Sequence, residues 1–173
     1  MECACPKQFP DWHKQDINLG GHFAHVMPVP MFLHMPIGLE AYAEKQRQAL
    51  ERLGLKERWP GFVLTRSAAL CGKIIRLLED AISPAHHLEY LPNPFHVRAY
   101  LHHGDIGTTS AAVRGTQGEL LAEGRKPQEL YLSYLTCPHC SDRRGGDKIL
   151  LLRRWVESPT LKKRIGRSVA LKY

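Results

Sequence analysis

Two pairs of cysteines stand at opposite ends of this 173-residue chain: Cys3 and Cys5 near its start, and Cys137 and Cys140 late in it. Two thiolates separated by two residues reach one ion because the turn between them folds both sulfurs to the same side. A tetrahedral site needs two further ligands, and Cys3 and Cys5 supply matching chemistry, so the expected ligand set is Cys3, Cys5, Cys137 and Cys140 with zinc as the ion. A fold that satisfies this set must carry the beginning of the chain across to the late turn. A mixed site, completed by His139, His22 or His25, is the alternative.

The local context of the late pair is Leu135-Thr136-Cys137-Pro138-His139-Cys140-Ser141. Glu129 to Leu135 and Asp147 to Val156 read as two strands flanking it and forming a hairpin, and Asp142-Arg143-Arg144-Gly145-Gly146 suits a tight loop. This segment resembles the knuckle of zinc-ribbon proteins, where C-P-x-C lies at the tip of a hairpin. The resemblance covers this hairpin alone and departs from the family pattern, because no second C-x-x-C follows in the chain. The same four residues also resemble the active-site dithiol of thioredoxin-fold disulfide oxidants. In that family the first cysteine opens a long helix whose N-terminus lowers its pKa. Ser141 to Gly146 carries two glycines and no apolar periodicity, so the activating helix is missing and C-P-H-C dithiol redox chemistry stands as a further alternative.

With 43% hydrophobic and 24% charged residues, the composition is that of an ordinary globular chain. Five cysteines in the grouping C-x-C, lone Cys71 and C-x-x-C do not form a secreted disulfide framework, and no basic-then-apolar leader opens the sequence. No stretch approaches the roughly 20 apolar residues that cross a bilayer. These features predict a cytoplasmic protein without a membrane partner. Cys71, beside Ile74 and Ile75, reads as a small hydrophobe.

The length suits one domain, 1–173, in three parts. Residues 1–37 hold Pro6, Pro10, Pro28, Pro30 and Pro36 among several histidines and read as an extended Pro/His-rich arm over the core. Residues 38–83 read as a helical pair. Leu39, Tyr42, Ala43, Leu50 and Leu53 lie on one face of the first helix, which stops at Gly54. A second helix is expected after Thr65 or Ser67, burying Leu70, Cys71, Ile74, Leu77, Leu78 and Ile82 before Pro84.

Residues 84–173 read as β-rich. Phe95, Val97, Ala99 and Leu101 alternate with His96, Arg98, Tyr100 and His102, the signature of a half-buried strand. His87 to Leu91 is expected to pair with it across Pro92-Asn93-Pro94. Residues 104–128 carry five glycines and read as loops around one short element near Glu119 to Ala122. Ser158-Pro159 suits the cap and first position of a short basic helix ending at Gly166. The expected fold class is α+β: two helices packed on a small, mainly antiparallel sheet, with a zinc-knuckle-like hairpin near the C-terminus. No internal repeat is visible.

Two further constellations bear on function. His96, Arg98 and His102 share a strand face, with Asp105 just beyond it, an arrangement that could bind an anion and transfer protons. It predicts, as an alternative, a metal-dependent hydrolase or acid-base enzyme. The other is charge: from Arg143 onward, ten lysines and arginines face only Asp147 and Glu157, so the formal net charge of +7 sits entirely in this end. Arg143, Arg144, Arg153, Arg154, Lys162, Lys163, Arg164 and Arg167 are the candidate contacts to nucleic acid or an acidic protein, since clustered cations neutralise phosphates and release counterions. The leading expectation is therefore a zinc-stabilised binding domain.

Overall fold

Short apolar or alternating stretches between Phe23 and Val156 become strands of one antiparallel sheet. The computed structural model describes residues 3–79 and 87–170, with side chains of the last helix described through Arg167. In chain order the elements are β1 (Asp16–Asn18), β2 (Phe23–Phe32), β3 (Met35–Pro36), α1 (Leu39–Arg52), β4 (Leu64–Arg66), β5 (Cys71–Leu77), β6 (Leu88–Tyr90), β7 (His96–His103), α2 (Ser110–Ala122), β8 (Arg125–Tyr134), β9 (Lys148–Glu157) and α3 (Pro159–Ala170). The strands run β1-β7-β9-β8-β4-β5-β2-β3 across the sheet, with β6 also pairing to β2.

Outward from the central β4·β8 pair, the order is β4-β5-β2 on one side and β8-β9-β7 on the other. Each half is thus a strand, a helix and a hairpin in the same connectivity, β2-α1-β4-β5 and β7-α2-β8-β9. The internal repeat absent from the sequence exists in the topology.

Register fixes what each face carries. Met27 opposes Ile74, Ile74 opposes Thr65, Thr65 opposes Leu132 and Leu132 opposes Leu151, so these side chains share one face. Both α1 and α2 cover that face: Leu39 and Tyr42 pack on Met27, Val29 and Ile74, while Ala112 and Val113 pack on Leu132, Ile149 and Leu151. The opposite face buries Val26, Leu64, Ile75, Val97, Tyr131 and Leu152 beneath Phe9, Trp12 and Trp59.

The segment expected to be a second helix is instead the hairpin β4–β5. Ile75 and Leu77 point to one core and Ile74 to the other, so the strand is buried on both sides and its near-continuous apolar run mimics a helical stripe. Expected Ile82 and Pro84 lie outside the described residues. The sheet is accordingly larger than anticipated. A helix was also hidden in the glycine-rich stretch: α2 spans Ser110–Ala122 despite Gly115 and Gly118, whose low helix propensity is offset by burial of Thr116 and Leu120.

The proline-rich arm is likewise shorter than 1–37, because β2 takes ten of its residues into the sheet. Pro28 and Pro30 are tolerated because of which way their nitrogens face. Val26 N–H donates outward to His87 and the Pro30 carbonyl accepts from Ile37 N–H on that same side, so the even-numbered residues turn away from β5 and the prolines remove no ladder bond. β6 pairs with β2 and not with the β7 strand that follows it. The β7 strand, the β8–β9 hairpin, α1 and α3 stand where the sequence predicts elements, with α3 running past Gly166 to Ala170.

Candidate metal centre

The β8–β9 hairpin carries the turn that holds Cys137 and Cys140. Leu135 N–H donates to Lys148 O at 3.0 Å, and Lys148 N–H to Thr136 Oγ1 at 2.8 Å, which closes the strands just beneath the turn. Above them Cys140 and Ser141 N–H both donate to Cys137 O at 2.9 Å, wrapping the backbone around the first sulfur. Cys137 N–H points back to Cys140 Sγ at 3.4 Å. The loop returns through Gly145 and Gly146, at φ 77° and 97°, a left-handed backbone that glycine adopts without strain.

The other pair arrives on the N-terminal segment, which three contacts lay over the sheet. β1 pairs with β7 along Asp16–Asn18. Trp12 meets Trp59 edge-on at 5.1 Å between centroids. Gly61, at φ 80°, lets the chain pass so close that a Cβ there would sit 2.9 Å from the carbonyl oxygen of Ala4. The outcome is that the sulfurs of Cys3, Cys5, Cys137 and Cys140 all lie within 4.8 Å of one another, a group that could hold a metal ion.

Four cysteine sulfurs are a donor set that a tetrahedral dication such as zinc takes. Four sulfurs at the usual Zn–S distance of about 2.3 Å define a tetrahedron with edges of about 3.8 Å. Cys137 Sγ and Cys140 Sγ are 3.8 Å apart. The thiols also perturb one another: the Cys5 backbone N–H and a hydrogen bond from Cys140 draw Cys3 down to about 7, whereas burial and the Cys137 and Cys140 thiols push Cys5 up.

Of the histidines proposed as alternative ligands, His25 and His22 have partners of their own. His25 is buried under α1, where Gln46 Nε2 is 3.0 Å from its Nδ1, and His22 Nδ1 contacts Leu19 O at 3.1 Å. His139 is exposed at the turn. The C-P-H-C segment is followed by a single 3-10 turn, Asp142–Arg144, and not by the long helix of a dithiol oxidant.

The face carrying His96, Arg98, His102 and Asp105 is held by internal partners. His96 stacks on Trp155 with centroids 4.6 Å apart and planes 13° from parallel. Arg98 lies between Asp16 and Glu123, with contacts of 2.7 and 2.8 Å, and Arg125 joins the same carboxylates. His102 Nε2 lies 2.8 Å from Thr108 Oγ1, and Asp105 Oδ1 accepts from Thr108 N–H at 3.1 Å. Arg98 is readable on this face from the strand alternation, whereas no local pattern connects Asp16 and Glu123 to it.

The eight basic residues divide. Arg144 donates to Pro6 O and Leu135 O, Arg153 to Gln128 O, and Arg154 pairs with Glu129 while lying over Phe95. Lys162 pairs with Glu157. Arg143 is exposed on the cysteine loop, and Lys163, Arg164 and Arg167 are exposed on α3.

No protein-family profile and no curated protein sequence matches this chain. Among solved structures it is similar to the crystal structure of the EcmrR C-terminal domain, with a TM-score of 0.57 at 10% identity over 83% of this chain and 95% of that one. It is similar too to the cryo-EM structure of an EcmrR–DNA complex in EcmrR-RPo, with a TM-score of 0.56 at 10% identity over 83% of this chain and 56% of that one. At that identity the likeness is one of fold. No helix among the described residues is long and apolar enough to cross a membrane.

Proposed function

We propose that this chain is a zinc-stabilised binding domain that contacts nucleic acid, or an acidic protein, through its basic C-terminal surface. The observation that carries the reading is the meeting of four sulfurs from the two ends of the chain. A closed site of four cysteines is structural, because it leaves no coordination position for a substrate. Its chemistry is therefore to hold the N-terminal segment on the β8–β9 hairpin, and binding energy from the ion adds to folding.

The polyanion reading draws on two facts. Lys163, Arg164 and Arg167 are exposed on α3 and Arg143 is exposed on the cysteine loop, which β9 separates from α3, and one of the similar folds belongs to a protein solved in complex with DNA. The acid-base reading of the His96 face is the weaker one, because Arg98 is already saturated by carboxylates. Binding of the zinc-loaded chain to labelled DNA and RNA oligonucleotides across a salt series tests the proposal. Affinity that falls steeply with salt supports it; retention that is absent at low salt, or unchanged between low and high salt, contradicts it.

A further inference from the structure

A cavity of about 600 Å³ lies between α1 and the outer edge of β2, remote in sequence from every element of the metal centre. Its floor is Met27 and Val29, and its roof is Tyr42 and Ala49 from α1. Leu70, 78% exposed just before β5, flanks the opening. Two cations, Lys45 and Arg52, complete the α1 wall. They are seven residues apart, or two turns, and so stand on the same side of the helix. Neither pairs with a carboxylate among the described residues, whereas the α1 carboxylates Glu44 and Glu51 are both taken up by Arg47. The cavity is thus largely apolar, with His25 and His87 also in its lining, and it carries two cations on its α1 wall.

The edge of β2 restricts what can enter. Among the described residues, β6 and His87 cover Phe23–Val26 and β3 with Ile37 covers Pro30–Phe32, so that Met27–Val29 between them has no strand partner on that side. Pro28 lies in that stretch and Pro30 borders it, both with their nitrogens facing outward, so an incoming peptide strand finds no N–H donors from them and cannot zip onto the edge. The occupant must be recognised by shape, apolar contact and charge. We propose that this cavity binds a small amphipathic organic anion, its acidic head between Lys45 and Arg52 and its apolar body against Met27, Val29, Tyr42 and Leu70. The volume lies within the roughly 300–1,000 Å³ of small-molecule sites.

Calorimetric titration of the full, zinc-loaded chain with dodecanoate, dodecyltrimethylammonium and dodecanol, each kept below its aggregation concentration, tests this. The expected result is saturable one-to-one binding of dodecanoate, at least tenfold tighter than either the cationic or the neutral chain. Lys45→Glu combined with Arg52→Glu, both at exposed helix positions, should weaken dodecanoate tenfold or more, and Ala49→Trp, which fills the cavity, should abolish binding. Lys163→Glu with Arg164→Glu on α3 should leave it unchanged, which separates this site from the polyanion surface. No binding of dodecanoate, equal binding of all three chains, or binding indifferent to both the charge-reversed and the filled variants would overturn the proposal.

Discussion

Arg144 Nη1 donates to the carbonyl oxygen of Pro6 at 2.8 Å, joining the cysteine hairpin to the segment that carries Cys3 and Cys5 without involving a sulfur. The same nitrogen reaches Leu135 O at 3.3 Å, and the Arg144 carbonyl accepts from Lys148 Nζ at 2.6 Å. The guanidinium therefore orients both halves of the proposed site from behind. Arg144→Ala should lower zinc affinity roughly 10- to 100-fold, the scale of outer-shell effects, while all four ligands remain. Competition against a chromophoric chelator measures it, and unchanged affinity would show that the two ends meet independently of this bond.

A second prediction concerns the buried polar chain under α1. Arg76, 4% exposed, contacts Glu57 at 2.6 Å and donates from Nε to Gln46 Oε1 at 3.0 Å. Because arginine only donates, Gln46 presents its oxygen to Arg76 and turns its amide nitrogen to His25, donating to the His25 carbonyl oxygen at 2.9 Å with Nδ1 of the ring 3.0 Å away. Glu57→Ala removes the carboxylate that pairs with Arg76 and should cost about 3–5 kcal/mol, read from denaturant unfolding. A loss below about 1 kcal/mol would mean that solvent reaches the guanidinium.

Acid sensitivity should trace to the β1–β7 edge. Burial by itself would raise the Asp16 carboxyl, but hydrogen bonds from Arg98 and Arg125 outweigh it and hold it below the ordinary range; the Arg98 hydrogen bond does the same to Glu123. A depressed carboxyl binds its proton less readily when folded than when unfolded. Its contribution is thus fully present above the unfolded value near 4 and is lost as pH falls through the lower folded value. Stability measured by urea unfolding should decline below about pH 4, and Asp16→Asn should flatten that decline. An identical acid limb in the variant would contradict the assignment.

The division of the basic residues gives a fourth test. Replacing exposed Lys163, Arg164 and Arg167 by glutamate should weaken oligonucleotide binding and reduce its salt slope by about one for each phosphate those side chains neutralise. Arg154→Gln should act mainly on stability, since its partner is Glu129. The reverse pattern would move the interface from α3 to the sheet.

How much of this was legible in the sequence depends on the range of the interaction. The β7 alternation, the paired β8 and β9 strands and the first helix are local patterns with a clear period, and all three emerged in place. Ser158 was readable as a cap, and its Oγ accepts from Leu161 N–H at 3.4 Å. The β4–β5 hairpin was not legible, because Ile74 and Ile75 are buried on opposite faces and two-sided burial erases the alternation that distinguishes a strand. The helix α2 escaped because its glycines read as loop while its burial depends on a sheet that the local sequence does not reveal.

At the site, the pairing of Cys3 and Cys5 with Cys137 and Cys140 could be anticipated from donor chemistry alone. The interactions that deliver them could not. Gly61, which lets Ala4 pass close, and Arg144, which holds Pro6, carry no motif, and several of the cations expected to form an open binding surface turn out to satisfy backbone carbonyls.

The most direct measurement is the zinc content of chain purified without chelator, by native mass spectrometry, for the wild type and for Cys3→Ser and Cys137→Ser. One zinc per wild-type chain, strongly reduced in both variants, is the predicted result. Wild-type chain with well under one equivalent, or Cys3→Ser that keeps a full equivalent bound as tightly as the wild type, would contradict a metal centre shared by the two ends of the chain.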